Sequence, residues 1–472
     1  MIDGLHPYPE TKPSGVDWLP ALPNGWEIHR AKYSFREADD RSESGGEELL
    51  SVSHKTGVTP RSQKNITMFM AESYEGHKVC RPGDIVVNTM WAWMAAIGVS
   101  RHVGIVSPAY GIYRPRTAER FESKFLDYLL RTEAYRAEYL RSSRGVTTSR
   151  LRLYPPDFLN IPFVQPPLDE QRLIVRFLDW HGAQTARLIR AKKKIIALLN
   201  EQKQATIHRA VTRGLDPNAK LKPTGIPWLG DVPEGWEVRA LKRASRRSSL
   251  YGANISSERY VPNGVRFLRT TDISDTGELR PNGVFISEDV ADGYLLSDGD
   301  FLISRSGTVG RAFVYQASVH GPCAYAGYLV RFVVDQSDLI PKYLWFFTKS
   351  SVFQSFLKTV SIASTIENVN GEKYANMPIA LPPIAEQAEL LASIQIKTAP
   401  LDATMKRIEA EIGFFREFRT RLIADVVTGK LDVRAAAVRL PEVMDIEPID
   451  YPTEIDDLDE AVADPENEEV AV

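Results

Sequence analysis

The sequence predicts an α+β fold in which two mixed α/β modules are each followed by a long helical spacer. Three observations carry that expectation. The block Trp18-Leu19-Pro20-Ala21-Leu22-Pro23-Asn24-Gly25-Trp26-Glu27 returns 210 positions later as Trp228-Leu229-Gly230-Asp231-Val232-Pro233-Glu234-Gly235-Trp236-Glu237. A second block, Pro166-Pro167-Leu168-Asp169-Glu170-Gln171, returns at an offset of 216 as Pro382-Pro383-Ile384-Ala385-Glu386-Gln387, and the same offset relates Thr212, Leu215 and Asp216 to Thr428, Leu431 and Asp432. Between the paired blocks, residues 27–161 and 237–378 share little. The organisation is therefore a first module at 1–161, a first spacer at 162–216, a second module at 217–377, a second spacer at 378–434, and an acidic tail at 435–472 expected to be disordered. Two modules of one shape with different surfaces suit a protein that reads two different things at a fixed separation.

In the first module, Ile85-Val86-Val87 and Gly104-Ile105-Val106 have the look of short buried strands set off by Gly and Pro. Residues 121–139 have helical periodicity. The second module shows the same order. Phe301-Leu302-Ile303 follows Gly299-Asp300 as Ile85-Val86-Val87 follows Gly83-Asp84, and residues 339–360 match the helical stretch. The pairs Trp18/Trp26 and Trp228/Trp236 are expected to be structural, with Gly25 and Gly235 turning the rings inward.

The spacers are the clearest helices. Pro167 and Pro383 suit helix starts, and helical character runs for ~45 residues, with breaks expected near His181-Gly182 and Thr398-Ala399-Pro400. Gly214 and Gly429 suit helix ends. In the second spacer Leu401, Met405, Ile408, Ile412, Phe415, Leu422 and Val426 form a seam of coiled-coil type, interrupted once by Arg419. Its counterpart, Thr185, Ile189, Lys192, Ile196, Leu199, Thr206 and Ala210, is less apolar. The ~28 residues from Pro400 to Val427 would span ~42 Å, more than one ~34 Å turn of B-DNA. Leu188, Ile195 and Leu198 lie off the seam. With Met405, Ile412 and Phe415 they are the candidate docking residues for other subunits.

Composition narrows the function classes. The chain is 43% hydrophobic and 10% aromatic, enough for folded cores. Its net charge of −3 conceals a division, because residues 442–469 hold 13 Asp or Glu and no Lys or Arg, leaving +10 elsewhere. That basic remainder suits a polyanion. Cys80 and Cys323 are too few for a disulfide framework or a zinc site, so a reducing, cytosolic compartment is expected. Met1-Ile2-Asp3-Gly4 carries neither the basic nor the apolar region of a secretory leader, so none is expected, and the longest near-apolar stretch, Met90 to Val99, is about half a membrane span. Gly307-Thr308-Val309-Gly310 lacks the lysine and spacing of a phosphate-binding loop, and no His-Glu-x-x-His occurs. No acidic pair stands out for acid–base or metal chemistry, so no catalytic or metal-ligating residue is assigned.

The basic residues cluster. Eight lie between 237 and 270, Arg246, Arg247 and Arg269 among them, against two acids. Arg144, Thr147, Thr148, Arg150 and Arg152 interleave charge and hydroxyl around Gly145, a pattern suited to phosphate clasping and base-edge hydrogen bonding. The corresponding stretch of the second half holds Ser364, Thr365, Asn368, Asn370 and Lys373. Loops after the Gly-Asp strands offer Asn88, Thr89 and Trp91 in one half and Arg305, Ser306, Thr308 and Arg311 in the other. Lys55, Arg61, Thr270 and Thr271 complete the candidate DNA-contacting set.

The repeated Trp-Leu to Pro-x-Gly-Trp-Glu block, the Pro-Pro-[Leu/Ile]-x-Glu-Gln helix start, the Leu-Asp ending and the two-fold repetition resemble the specificity subunit of type I restriction–modification enzymes. The resemblance runs from Lys12 to Asp432 and leaves out the acidic tail. It implies two target recognition domains, each reading one half of a bipartite, asymmetric double-stranded DNA site. It also implies antiparallel helical spacers that fix the gap, relate the halves by a pseudo-two-fold, and bind two modification subunits. S-adenosylmethionine for adenine-N6 methylation, and ATP with Mg²⁺ for the restriction subunits, would sit on those partners and not on this chain. Two other readings remain: the specificity subunit of a fused, type IIB-like methylase–nuclease, and a standalone DNA-binding scaffold.

Overall fold

The computed structural model describes residues 5–63, 73–117, 120–147, 150–361 and 368–441. Thr148, Ser364, Thr365 and the acidic run from Glu442 onward lie outside the described residues. The chain divides into two compact units, Met1–Lys192 with Ala410–Val472, and Lys193–Glu409. The fold is mixed α+β, with two long helices, Leu168–Arg213 and Ile384–Val427.

The first unit is built on a four-stranded antiparallel sheet in the order Phe35–Glu37, Gly111–Pro115, Ile85–Val87, Ile97–Val99. Ile85, Val86 and Val87 are all buried, so this central strand is apolar on both faces. Gly104–Val106 pairs with Lys78–Cys80. The helical stretch at 121–139 is two helices, Ser123–Leu130 and Glu133–Ser142. The interruption is Thr132, whose extended backbone leaves the helix and whose hydroxyl donates to the Leu129 carbonyl.

The second unit repeats the sheet order as Ser245–Tyr251, Leu329–Val334, Phe301–Ser304, Ala312–Val314. It adds a three-stranded sheet in which Val265–Leu268 lies between Val284–Ile286 and a parallel neighbour, Cys323–Tyr325. Here too the expected single helix is two, Pro341–Thr348 and Ser351–Ser361, and the Ser350 hydroxyl donates to the Phe347 carbonyl as Thr132 does to Leu129. A hydroxyl three residues past the carbonyl it binds closes the last turn.

The repeated motifs hold each module to its helices. Gln171 is fully buried; its Oε1 accepts from the Glu122 amide, at the start of the first module helix, and its Nε2 donates to the Pro166 and Arg120 carbonyls. Gln387 does the same with the Ile340 amide and the Pro382 and Asp338 carbonyls. Trp18 packs edge-on against Tyr135, and Trp228 lies against Phe356, so each outer tryptophan covers its module's second helix. Trp26 and Trp236 are buried, as expected of structural rings.

Both long helices are continuous, which corrects the breaks expected near Gly182 and Pro400. Gly182 is buried among helix-forming neighbours, and one helical glycine costs only about 1 kcal/mol. Pro400 and Ile396, whose carbonyl loses its amide donor, are both exposed, so water can satisfy that carbonyl. Gly214 and Gly429 end the helices at φ 75° and 78°. A side chain at Gly429 would put Cβ 2.6 Å from Pro23. In the first unit Ile174, Phe177 and Leu178 share a core with Leu422, Val426 and Val427. In the second, Ile207, Ala210 and Val211 share one with Leu390 and Ile394. The start of the expected tail is also corrected, because Arg434–Arg439 is helical, Ala437 is buried, and Arg176 donates to the Leu440 carbonyl. The Ala-rich run at 435–437 favours helix, and acidic residues begin only at Glu442.

Candidate nucleic-acid interface

In the first module the loop after Ile85–Val87 meets two other segments. The Thr89 hydroxyl donates to the Ala109 carbonyl, and its own carbonyl accepts from the Leu153 amide, which ties in the 143–153 loop. That loop is closed by Arg144 and Arg152, whose amides and carbonyls exchange hydrogen bonds. At its tip Val146 is 97% exposed, and Arg144, Thr147 and Arg150 are exposed. Arg144 forms a 2.6 Å ion pair with Asp157 but keeps 71% of its side chain in solvent, so it remains available to a phosphate. Trp91 stacks on Trp93 and is half-buried.

Asn88 does not present its amide. It is buried, its Nδ2 donates to the Tyr110 hydroxyl, and its Oδ1 accepts from the Met90 amide. The expectation that it contacts a base is corrected: it shapes the turn. Lys55 lies on the tip between Leu50–Ser53 and Gly57–Pro60, where its carbonyl accepts from Arg131. Arg61 follows that hairpin, with its amide on the Leu49 carbonyl. The contacts that gather Thr89, Ala109 and Leu153 do not include either residue.

In the second module more of the candidates converge. Arg305 ends the Phe301–Ser304 strand, with its amide on the Tyr328 carbonyl and its carbonyl accepting from the Val369 amide. Its guanidinium lies 5.1 Å from the ring centre of Tyr251. Ser306 is half-buried, and Thr308 is exposed on the loop that Ser304 closes by binding the Arg311 amide. Asn370 caps the Gly371–Ala375 helix by accepting from the Lys373 amide, and the Lys373 ammonium donates to the Val360 carbonyl. Beside them opens a cleft of about 630 Å³, lined by Asn254, Tyr260, Arg269, Thr270, Thr271 and Tyr328 with their neighbours.

Several arginines are committed within the fold. Arg269 forks onto Asp272 through Nε and Nη2. Arg311 donates to the Ile273 carbonyl and to Asp275, leaving 13% of its side chain exposed. Both ion pairs set loop shape; Arg269 stays 36% exposed at the cleft, whereas little of Arg311 is left to solvent. Arg246 pairs with Asp335 at 3.1 Å but is 66% exposed, and Arg247 is exposed on the bulged strand Ser245–Tyr251. Lys349 donates to the Asp275 carbonyl, and burial pushes its ammonium down to about 8. Sequence reasoning missed Tyr251, Tyr328 and Asn254; the available signal was a tyrosine beside a glycine, Tyr251-Gly252 and Gly327-Tyr328.

Among the docking candidates, Leu188, Ile195 and Leu198 are 49%, 45% and 55% exposed. Met405 and Ile412 are buried, which corrects their assignment: they leave almost no side-chain surface for another subunit. Phe415 is half-buried with the Lys192 ammonium over its ring, while the neighbouring Phe414 is 65% exposed and stacks on Phe418.

Among the described residues no group of His, Cys, Asp and Glu has the geometry to hold a metal ion. Cys80 and Cys323 are buried, and burial raises both thiols, Cys323 to about 11, away from nucleophilic reactivity. No helix among the described residues is long and apolar enough to cross a membrane.

A family profile described as the type I restriction modification DNA specificity domain matches residues 233–413. The chain is 24% identical to the type I restriction enzyme EcoKI specificity subunit of Escherichia coli (strain K12), across 74% of this chain and 75% of that one. It is 22% identical to the StySPI specificity subunit of Salmonella potsdam over the same shares. A solved chain, described under complex assembly and conformational transition of the type I R-M system, superposes with a TM-score of 0.61 at 19% identity, covering 86% of this chain and 98% of that one. That superposition bears on the fold.

Proposed function

The chain belongs to the specificity-subunit family of type I restriction–modification systems, and from that premise we propose that each module reads one half of a bipartite, asymmetric site in double-stranded DNA. The observation that carries this is a shared frame with unlike loops. Both modules use the same strand order and the same Gln clamp, yet one presents Thr89, Trp91, Arg144 and Thr147 where the other presents Arg305, Ser306, Thr308 and a cleft. One scaffold with two surfaces gives two readouts. Exposed arginines such as Arg144 and Arg247 meet phosphates, which makes affinity fall with salt, while the strand-end loops meet base edges.

The two long helices set the length of DNA left unread. Support for antiparallel, coiled-coil-like pairing comes from contacts inside each unit. In the first, Lys192 pairs with Glu411 while Ile174 shares a core with Val427; in the second, Lys203 pairs with Asp402 at 2.5 Å while Ile207 shares a core with Ile394. Partners thus recede on one helix as they advance on the other. Leu188 and Phe414 in the first unit, and Ile195 and Leu198 in the second, are the exposed apolar side chains through which two modification subunits dock. The reaction belongs to those partners and to restriction subunits, with S-adenosylmethionine, ATP and Mg²⁺ on them; this chain supplies the address.

The test is exchange of residues 27–161 for the matching segment of another specificity subunit, followed by mapping of adenine methylation in cells that hold the modification partner. One half-site should change and the other stay. Simultaneous change of both half-sites would refute independent reading.

A further inference from the structure

We propose that Arg305 reads a guanine in the half-site of the second module, and that Tyr251 is the residue that positions it. The inference rests on the reading of the modules given above and deepens it by naming a base.

Arg305 differs from the other arginines put forward in this module. Arg269, Arg311 and Arg246 each donate to a carboxylate, and Arg247 is exposed on a bulged strand. Arg305 is half-buried, yet among the described residues nothing accepts a hydrogen bond from its guanidinium, and its Nε is buried without a partner. A cation withdrawn from water without an acceptor is unfavourable unless something else holds it. What holds it is an aromatic face, the Tyr251 ring at 5.1 Å.

Tyr251 is itself fixed. Its hydroxyl accepts from the Gly371 amide at 2.8 Å, and the Ser249 hydroxyl donates to the Gly371 carbonyl at 2.8 Å. Ser249 adopts φ 60°, a left-handed conformation that a serine takes only when its surroundings impose it. The Arg305 backbone is pinned on both sides by Tyr328 and Val369. Backbone, ring and hydroxyl together place the guanidinium beside the Tyr251 ring before any ligand arrives.

A planar fork placed in advance is poorly used on a phosphate, which any exposed, mobile arginine satisfies. It fits the two acceptors, O6 and N7, that guanine presents in the major groove. The ordering cost of that contact is met in the fold, so the binding free energy goes into discrimination.

The experiment uses the full chain assembled with its modification partner, and duplexes carrying the methylated motif found for the wild type. The half-site of the second module is the one that changes when residues 237–377 are exchanged. Arg305→Ala and Arg305→Lys should lose on the order of ten- to a hundredfold affinity for the intact site and relax preference at one G·C pair, with the salt slope unchanged. Replacing that base by 7-deaza-dG should weaken the wild type and leave Arg305→Ala indifferent. Tyr251→Phe, which keeps the ring but releases the Gly371 amide, should lose less discrimination than Tyr251→Ala, which removes the ring as well. Three results would overturn the proposal: a second half-site without guanine on either strand, equal weakening of Arg305→Ala on every sequence with a salt slope lower by about one, or an unchanged motif. A wild-type complex that shows two independent half-sites while Arg305→Ala keeps its motif defeats this inference alone. A wild-type complex with no sequence preference defeats the reading of the modules as well.

Discussion

Asp300 holds Arg331 at 2.6 Å across the second module's sheet, and Asp84 holds Arg114 at 2.9 Å at the same place in the first. Both carboxylates follow a left-handed glycine and accept the amide three residues back, Ser297 or Arg81, so the Gly-Asp signature closes a turn and anchors a charge at once. The Asp300 and Asp84 side chains are 1% and 2% exposed. Burial raises the Asp300 carboxyl above the usual range in spite of Arg331, so the pair is no net gift to stability. Breaking it is another matter. Asp300→Ala should cost about 3–5 kcal/mol by stranding the Arg331 charge, whereas Asp169→Ala, removing a partner that is 92% exposed, should cost under about 1 kcal/mol. Urea unfolding of the two variants decides it, and equal costs would mean that the buried pair has relaxed to solvent.

The glutamine clamps make a second prediction. Gln387→Ala leaves the Ile340 amide and the Asp338 and Pro382 carbonyls without their buried partner. At about 1–3 kcal/mol for each group stranded, the second unit should lose several kcal/mol or fray where the long helix meets Pro341–Thr348. Hydrogen exchange read by mass spectrometry should show lost protection at 338–344 and unchanged protection at 120–126, where Gln171 makes the equivalent contacts. Uniform loss in both regions would count against two separate clamps.

The tryptophan pair is symmetric in sequence and asymmetric in chemistry. Trp236 Nε1 donates to both Glu386 oxygens at 3.0 Å. The matching glutamate, Glu170, instead accepts from the Tyr8 hydroxyl at 2.5 Å, and Trp26 Nε1 has no hydrogen-bond partner among the described residues. Trp236→Phe should therefore cost about 1–2 kcal/mol more than Trp26→Phe, the excess being a charge-assisted hydrogen bond. Thermal denaturation of the two variants measures it. A larger cost at Trp26 would contradict the assignment.

The repeat offsets made the fold legible, because a motif spaced by 216 residues fixes where each long helix starts and ends. They identified sameness without identifying role: nothing in Pro-Pro-x-x-Glu-Gln announces that the glutamine clamps a neighbouring helix, since its partners are backbone groups about 50 residues away. Periodicity found the module helices and missed their division, because Thr132 and Ser350 break a helix by local hydrogen bonds that hydrophobic pattern does not register. It placed Met405 and Ile412 in the seam, where they are buried, and so gave no ground for offering them as docking residues as well. The loop after the repeated Gly-Asp strand led to Arg305, while Tyr251 and Tyr328 went unseen because their nearness to it depends on three-dimensional pairing of separate segments.

Lys349 gives a prediction in pH. It faces the Asp275 carbonyl and carboxylate, the Trp345 ring, and the cations Arg311, Lys342 and Lys203. Burial is the largest influence and, with the like charges, brings the ammonium from its usual 10.5 to about 8. Between those values the unfolded chain binds more protons than the folded one, so stability rises with pH across that window; below about 8 the full cost of burying the charge is present. Lys349→Met keeps the aliphatic packing on Trp345 and removes that cost. At pH 7 the variant should be more stable than the wild type by roughly 2–3 kcal/mol, and the difference should shrink toward zero as pH approaches 10.5. Denaturant unfolding at pH 7, 9 and 10 follows the difference directly. A gap that stays constant across that range would show that Lys349 titrates as an ordinary surface lysine and that its ammonium is hydrated beside Trp345.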